Sequence, residues 1–195
     1  MVGRAAGPSR VTFVTSNSAK LAEVTAYFET QGISVGAELR RLPEVQADDL
    51  DRVVAGKLGA TGDLQGSVLV EDSGLFVDAL KGFPGPYSAY VYRTLGLEGL
   101  LRLLEGHPRG AVFRTVAGLR LSGRTLLLPG EVRGEIIDRP RGDHGFAYDP
   151  VFRPEGVSRS FGEMSLSEKN AHSHRARALA RVVVALREAP RTSAP

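Results

Sequence analysis

The segment VTFVTSNSAK, residues 11–20, predicts the first elements of the fold, and the other elements are predicted outward from it. Its first five residues are β-branched or aromatic, which is typical of a short strand, and the polar Ser-Asn-Ser that follows offers an N-cap to a helix. Apolar residues then recur at helical spacing, at Leu21, Val24, Tyr27 and Phe28. The segment therefore predicts a strand, a turn and a helix in direct succession, which is the opening unit of an α/β fold.

Downstream of this unit, strand and helix patterns alternate before the chain becomes purely β. We expect a strand over 33–39, a helix opened by the acidic cluster 48–51, a buried strand over 67–70 that ends on Glu71, a rigid loop at 82–86 and a short helix over 97–104. An antiparallel meander is predicted next, with strands over 111–121, 125–128 and 131–137.

The order of these elements predicts an α/β fold with a mixed sheet, and we expect the ligand site where loops leave the strands. With 195 residues, of which 42% are hydrophobic, the chain should form one domain. We assign that domain to residues 11–189, with a flexible N-terminus over 1–10 and a flexible tail over 190–195.

The composition excludes several classes of protein. The chain contains no cysteine, which excludes disulfides, thiolate zinc sites and cysteine nucleophiles and fits a reducing compartment. No apolar run approaches the roughly 18 residues that span a bilayer, and no signal peptide is recognisable, so we expect a soluble, cytoplasmic protein without a membrane partner. The net charge of +3 rests on scattered basic residues, which favours anionic small ligands over a dedicated nucleic-acid surface.

The turn between the opening strand and helix is the first candidate site. Free backbone N–H groups and the positive end of a helix dipole make such a turn a natural anion site, and Lys20 adds a positive charge. The simpler interpretation is that Ser18 only caps the helix and Lys20 is solvated. The P-loop, HExxH, GxSxG and GxGxxG patterns are all missing, so other common phosphate and hydrolase sites have no support.

Three acids form the second candidate site. Glu44 lies in a Leu-Pro-Glu segment, and Glu71 and Asp72 are adjacent at the end of a predicted buried strand. Two neighbouring carboxylates at such a place repel each other and need a cation, and ligands that are all oxygens favour Mg²⁺ or Mn²⁺. The structural alternative is that these acids face water or pair with arginines.

Two segments near the C-terminus complete the candidates. GFAYDP, residues 145–150, combines two aromatics and a carboxylate with free backbone donors, which suits stacking on a flat base, although aromatics two apart also fit a core strand. A capping box at 165–168 opens a helix whose predicted inward stripe is 171, 175, 178, 182 and 186. Arg175 falls on that stripe, and a buried guanidinium needs an anion, either a ligand phosphate or an internal carboxylate.

The motifs TSNSAK, LPEVQ, VEDSG, GFPGPYSA, GFAYDPVF and EKNAHSHRARA together resemble, in order and spacing, the inosine triphosphate pyrophosphatase family, also called Ham1-like or noncanonical purine NTP pyrophosphatases. The resemblance runs from about Val11 to Leu186. It implies a long central mixed β-sheet with two α/β lobes flanking a deep nucleotide-binding cleft, and a homodimer. It also implies Mg²⁺-dependent hydrolysis of ITP, dITP and XTP to the monophosphate and pyrophosphate, which cleanses the nucleotide pool.

The resemblance also implies roles for the residues at matching positions. The phosphate-binding loop would be Thr15, Ser16, Asn17, Ser18, Ala19 and Lys20, with Lys57 as a further phosphate contact. Glu44 and Asp72 would hold Mg²⁺, and the catalytic group would comprise Asp72 as general base, Lys57 and the neighbouring Glu71, with Ser73 as a substrate contact. Phe146, Ala147, Tyr148 and Asp149 would bind the base, and Lys169, His174 and Arg175 would contact base and phosphates.

Two positions depart from the family pattern, because Ser16 and Ala147 stand where the family more often has glycine. The Cβ of Ala147 is expected to bear on base selectivity rather than on hydrolysis. A Maf-like pyrophosphatase of other substrate preference, a nucleic-acid-binding module and an inactive family member are the alternatives. The SHR-bearing terminal helix disfavours the first, the scattered arginines disfavour the second, and the intact acids and Lys57 disfavour the third.

Overall fold

The VTFVT run forms strand β1 (Arg10–Thr15), and helix α1 (Ser18–Thr30) follows after a two-residue turn. The computed structural model describes residues 10–189 of the chain. Asn17 is the N-cap of α1, since its side-chain oxygen accepts the Lys20 N–H at 3.0 Å. The predicted succession of strand, turn and helix is confirmed, but the cap is Asn17 and not Ser18.

Within residues 10–189, six further strands and four further α-helices complete the fold. The strands are β2 (Ser34–Leu39), β3 (Val68–Val77), β4 (Pro84–Gly85), β5 (Gly110–Leu121), β6 (Arg124–Ile136) and β7 (Phe152–Pro154). The helices are α2 (Leu50–Gly59), α3 (Ser88–Leu103), α4 (Leu166–His172) and α5 (His174–Glu188).

One sheet contains all seven strands, in the order β2-β1-β3-β5-β6-β7 with β4 beside β3. Strand β1 runs parallel to β2 and β3, whereas the pairs β3–β5, β5–β6 and β6–β7 are antiparallel. The predicted α/β fold with a mixed sheet is therefore confirmed. Parallel strands at one end and a meander at the other place β3 in the middle of the sheet.

Strand β3 is longer than its apolar run predicts. The expected strand end at Glu71 is wrong, because β3 continues to Val77 and pairs with β5 at all ten of its positions. Partner strands supply backbone hydrogen bonds along the whole length, so the polar residues at 71–73 lie in the sheet itself rather than in a loop. Strand β6 likewise runs unbroken through Pro129, where two separate strands are predicted.

The helix boundaries also differ from the predictions. The helix predicted over 97–104 is only the second half of α3, which begins at Ser88 and is interrupted at Gly96, where φ is 65°. The first half escaped prediction because its large apolar side chains are mostly exposed and form no inward stripe. The terminal helix is two helices, since the extended Ser173 ends α4 and caps α5. Ala171 is exposed as a result, and the predicted inward stripe holds only from Arg175 onward.

Helices and turns cover the sheet at two ends and build two lobes. In the first lobe, α1 and α5 pack on one face of β1 and β5 through residues such as Phe28 and Leu179, and α2 packs on the other face through Val54. In the second lobe, Leu100 of α3 belongs to an apolar cluster on the far halves of β3, β5 and β6 that includes Phe113. The polar residues of β3 lie between the two lobes, and the depth of a nucleotide-binding cleft at this place stays a prediction.

None of the helices in residues 10–189 combines the length and the apolar composition that a bilayer span requires. The predicted flexible segments fall outside the described residues, with the exception of Arg10, which begins β1. The assigned domain bounds therefore stay predictions.

Candidate active site

Strand β3 carries Glu71, Asp72 and Ser73 between the two lobes. Since successive side chains of a strand point to opposite faces, Glu71 and Ser73 lie on the face covered by α5, and Asp72 lies on the face covered by α2. The Glu71 side chain is almost fully buried, whereas the Asp72 side chain keeps 13% of its surface exposed. Two carboxylates at the centre of a sheet require cations from neighbouring elements.

On the more open side, two lysines supply those cations. The Nζ of Lys57, from α2, lies 2.7 Å from Glu44 Oε1 and 3.3 Å from Asp72 Oδ1. The Nζ of Lys20, from the first turn of α1, lies 2.7 Å from Glu71 Oε1 and 3.5 Å from Asp72 Oδ1. Lys57 thus brings Glu44 and Asp72, which are far apart in sequence, to the two sides of one ammonium group.

On the buried side, Arg175 and Lys169 likewise each lie between two carboxylates. The guanidinium of Arg175 contacts Glu23, and its Nε lies 3.5 Å from Glu71 Oε2. The Nζ of Lys169 lies 2.5 Å from Glu23 Oε1 and 2.6 Å from Asp149 Oδ2. Arg175 is therefore buried as predicted, and its partners in this structure are internal carboxylates.

These contacts join nine side chains into one alternating series of acids and bases, which we call the charge row. Its members, in order, are Glu44, Lys57, Asp72, Lys20, Glu71, Arg175, Glu23, Lys169 and Asp149. Each of the four bases lies between two carboxylates. With five acids against four bases, the row still has room for a further positive charge.

Two carboxylates of the row, Glu71 and Glu23, are held ionised by their neighbours. Burial alone would raise the pKa of Glu71, but Lys20 and Arg175 outweigh it and hold that pKa well below its usual range. Burial would also raise the pKa of Glu23, and Arg175 and Lys169 again lower it below the usual value. At the terminus of the row, burial dominates and raises the pKa of Asp149 despite the Lys169 contact.

The predicted phosphate loop lies at the open side of the row. The Thr15 hydroxyl accepts the Asn17 N–H at 3.1 Å, and Ser16, Asn17 and Ser18 are exposed. The N–H groups of Ser18 and Ala19 open the 13-residue helix α1 and have no carbonyl partner within it. The loop, the helix N-terminus and Lys20 thus form one positively polarised surface next to Asp72.

The predicted base-binding segment lies at the other side. Phe146 is partly exposed, its ring centroid lies 4.9 Å from Lys169 Nζ, and its N–H donates to Asp149 Oδ2 at 2.7 Å. Tyr148 instead lies in the core, with its hydroxyl donating to the Ser88 carbonyl at 2.9 Å. Ala147 adopts φ of 53°, the left-handed conformation that favours glycine. Of the two aromatics, Phe146 is therefore the one available for stacking.

His174 is buried and stacks on Phe113, with ring centroids 4.5 Å apart and planes 7° apart. Burial, followed by the charges of Arg175 and Lys169, lowers the pKa of His174 well below 6.5. The imidazole is neutral at neutral pH, so it cannot supply charge to a phosphate. Its predicted role as a substrate contact stays a prediction.

The residues present fit a divalent cation that shares its coordination with substrate. Within residues 10–189, no three Asp, Glu or His side chains meet as a ready-made metal cage. Glu44 and Asp72 nevertheless converge through Lys57 and offer only oxygen atoms. Mg²⁺ is usually bound by one or two carboxylates together with waters and substrate phosphates, so a two-carboxylate site suits it.

Sequence reasoning missed Glu23, the acid that binds both Lys169 and Arg175. A signal was present, because Glu23 lies beside Val24 and four residues before Tyr27, on the apolar stripe of α1. An acid on an inward stripe needs a cation, just as Arg175 needs an anion. The sequence alone could therefore have suggested that Glu23 and Arg175 form an ion pair.

Comparison with known proteins identifies the family of the chain. The sequence profile of the Ham1 family matches residues 11–185. The chain belongs to the Ham1 family. A dITP/XTP pyrophosphatase of Pyrococcus horikoshii is 46% identical over 172 residues, which cover 87% of this chain and 92% of that protein.

Two further Ham1-type proteins are similar over most of their length. A dITP/XTP pyrophosphatase of Thermococcus kodakarensis is 47% identical over 172 residues, which cover 87% of this chain and 93% of that protein. The structure of a HAM1 protein from Coxiella burnetii matches with a TM-score of 0.75 and 29% identity, over 92% of this chain and 99% of that one. The family resemblance seen in the sequence motifs is confirmed.

Proposed function

We propose that this chain hydrolyses noncanonical purine nucleoside triphosphates, such as ITP, dITP and XTP, to the monophosphate and pyrophosphate. The charge row carries the proposal, because it joins a helix N-terminus suited to phosphates to an aromatic segment suited to a base. The names of the two dITP/XTP pyrophosphatases support the same reaction. Membership of the Ham1 family favours this function over the Maf-like alternative.

The phosphates would bind at the open side of the row. Lys20 and Lys57 offer ammonium groups there, and the N–H groups that open α1 offer backbone donors. Glu44 and Asp72 would hold Mg²⁺, and Mn²⁺ would also serve because it accepts the same oxygen ligands. When bound, the ion supplies positive charge that offsets the charge of the phosphates.

Asp72 is the group we assign as general base. Its carboxylate accepts a proton from the water that attacks the α-phosphorus. The bond between the α-phosphorus and the oxygen that bridges it to the β-phosphorus breaks at the same time. Lys20 and Lys57 stabilise the negative charge that develops on the departing pyrophosphate. Both lysines already contact Asp72, so the base and the charge-stabilising groups are held in one place.

The base would bind at the Phe146 segment. Within residues 10–189, the N–H groups of Ala147 and Tyr148 make no hydrogen bond. ITP and XTP carry a 6-oxo acceptor where ATP carries a 6-amino donor, so these N–H groups would pair with the former and clash with the latter. An unpaired buried donor costs roughly 1–3 kcal/mol, or about 10- to 100-fold in selectivity per contact.

We further propose that the protein works as a homodimer in the cytoplasm. Half of the exposed large apolar residues in the described part of the chain lie from Phe83 to Leu95, and patches of this kind mark contact surfaces. Light scattering on the purified protein tests the assembly, and a monomer mass at micromolar concentration would contradict it. The absence of cysteine fits a reducing compartment.

A nucleotide panel tests the proposed reaction. Purified protein is incubated with ITP, dITP, XTP, GTP, ATP and dUTP, with Mg²⁺ or with a chelator, and both products are quantified. We expect equal amounts of pyrophosphate and monophosphate from ITP, dITP and XTP, little of either product from ATP, and none without the metal. Release of orthophosphate, or equal turnover of ATP, would contradict the proposal.

A further inference from the structure

The hydroxyl of Ser73 lies at the middle of the charge row and contacts three groups. Ser73 Oγ is 2.8 Å from Glu71 Oε2, 3.1 Å from Arg175 Nη2 and 2.6 Å from Thr115 Oγ1. Thr115 lies on β5 directly opposite Ser73 of β3 and is 1% exposed. Thr115 lies in none of the sequence motifs and is not a member of the charge row, so its role is still to be assigned.

The donors and acceptors fix the direction of each of these hydrogen bonds. A carboxylate only accepts and a guanidinium only donates, so the single Ser73 proton goes to Glu71 and one Ser73 lone pair accepts from Arg175. The remaining Ser73 lone pair then accepts from Thr115, which must be the donor. Thr115 therefore fills the last hydrogen-bonding position of Ser73 and directs its proton toward Glu71.

We propose that Thr115 is a positioning residue for the active site, acting through Ser73. Its hydroxyl fixes the rotamer of Ser73, which in turn fixes the carboxylate of Glu71 and one side of the Arg175 guanidinium. Glu71 also binds Lys20, which contacts the general base Asp72. The inference rests on the proposed pyrophosphatase function, and it gives the hydroxyl of Ser73 a structural task, in which Glu71, Arg175 and Thr115 occupy all its hydrogen-bonding positions.

A purely structural role for Thr115 would look different. Cross-strand threonine and serine pairs stabilise many sheets, and in that case only the stability of the fold would respond to substitution. If Thr115 positions catalytic groups, kcat responds to loss of the hydroxyl but not to loss of the methyl group. Since 1% exposure keeps Thr115 from touching substrate, KM should change little.

The test compares Thr115→Val, which removes the hydroxyl, with Thr115→Ser, which keeps it. With dITP as substrate, we expect Thr115→Val to lower kcat by about 2- to 10-fold, the range typical of one buried hydrogen bond, with KM within about twofold of the wild type. Thr115→Ser should restore kcat. Thr61→Val is the control, because the Thr61 hydroxyl donates to the Leu58 carbonyl outside the charge row.

A double-mutant cycle with Ser73→Ala makes the test decisive. If Thr115 acts through Ser73, adding Thr115→Val to Ser73→Ala produces no further loss of kcat. Additive losses, or equal kcat for the serine and valine variants, would overturn the inference while leaving the proposed function intact. An inactive wild type would overturn both. Thermal unfolding is recorded for every variant, and Thr115→Ala replaces the valine variant if that variant does not fold.

Discussion

The two ends of the charge row have the same pattern of alternating charges but differ in how much water reaches them. At the open end, the side chains of Glu44, Lys20 and Asp72 are 63%, 15% and 13% exposed. At the buried end, Glu23, Lys169, Asp149 and Arg175 are at most 3% exposed. The open end can exchange its partners for a metal ion and phosphates, whereas the buried end cannot do so without opening the fold.

Because the two ends differ in exposure, substitutions at the two ends should have different effects on activity and on stability. Removing one partner of a buried ion pair leaves an uncompensated charge and destabilises a protein by about 3–5 kcal/mol. An exposed pair contributes about 0–1 kcal/mol, because solvent screens it. Substitutions at the open end should therefore change activity, and substitutions at the buried end should change the free energy of unfolding.

The largest effect is expected at the open end, from Asp72→Asn. Loss of the general base should lower kcat by about 10²- to 10⁴-fold while nucleotide binding is largely kept. Steady-state kinetics and nucleotide titration measure the two quantities. Asp51→Asn, at the exposed start of α2, is the matched control and should behave as the wild type. Near-wild-type turnover of Asp72→Asn would remove Asp72 from this role.

A glutamate-to-glutamine substitution at each end compares what the two ends contribute to the free energy of unfolding. Glu23→Gln should lower the free energy of unfolding by about 3–5 kcal/mol, because Lys169 and Arg175 lose the charge they share. Glu44→Gln should lower it by less than about 1 kcal/mol, yet it should raise the Mg²⁺ concentration needed for activity. Denaturant unfolding measures the first pair of values. Equal costs at the two positions would break the distinction between the ends.

A third expectation concerns pH and the buried end. The folded-state pKa of His174 is lowered below 6.5, so the unfolded chain takes up a proton where the folded chain does not. This contribution to stability is present above pH 6.5 and is lost as the pH falls below it, by up to about 1.4 kcal/mol per pH unit. His174→Gln should remove that slope in unfolding experiments between about pH 5 and 6.5.

The exposed neighbour His172 provides the control for this experiment. His172→Gln should leave the slope unchanged. An identical slope in His174→Gln and in the wild type would show that His174 is not the group that couples folding to protons.

The smallest effect is expected at Ala147, beside the buried end. Replacement by glycine relieves the left-handed conformation, worth about 1 kcal/mol, but removes a methyl group that packs on the second lobe. The two contributions nearly cancel, so the free energy of unfolding should change by less than about 1 kcal/mol. The ratio of kcat/KM for XTP over ATP is the informative measurement. A tenfold change would show that the Cβ of Ala147 shapes base recognition.

The sequence predicts the open end better than the buried end. Lys20, Glu44 and Asp72 stand in the short motifs TSNSAK, LPEVQ and VEDSG, whose residue types indicate phosphate and metal chemistry, and Lys57 is predicted from the family resemblance. The buried end depends on pairing across long distances in sequence, since Glu23 and Arg175 meet only after α1 and α5 pack on the same face of the sheet. No local pattern encodes such a contact, although each residue alone signals a buried charge.

The fold also has parts that the local sequence predicts and parts that depend on tertiary contacts. The strand, turn and helix at 10–30 follow from local propensity and are confirmed. The extension of β3 through Glu71 and Asp72 is not predictable locally, because the ions that neutralise those acids come from α1, α2 and α5. Tertiary contacts override the local preference of acidic residues for loops.

A crystal structure with Mn²⁺ and a non-hydrolysable dITP analogue would show whether the open end exchanges its partners for a metal ion and phosphates. We expect an anomalous peak beside Glu44 and Asp72, with Lys57 moved from between these carboxylates to the phosphates. The contacts of Glu23 with Lys169 and Arg175 should be unchanged. A metal ion bound elsewhere, or a buried end that opens while Lys57 stays between its two acids, would show that the two ends do not divide metal binding and stability in this way.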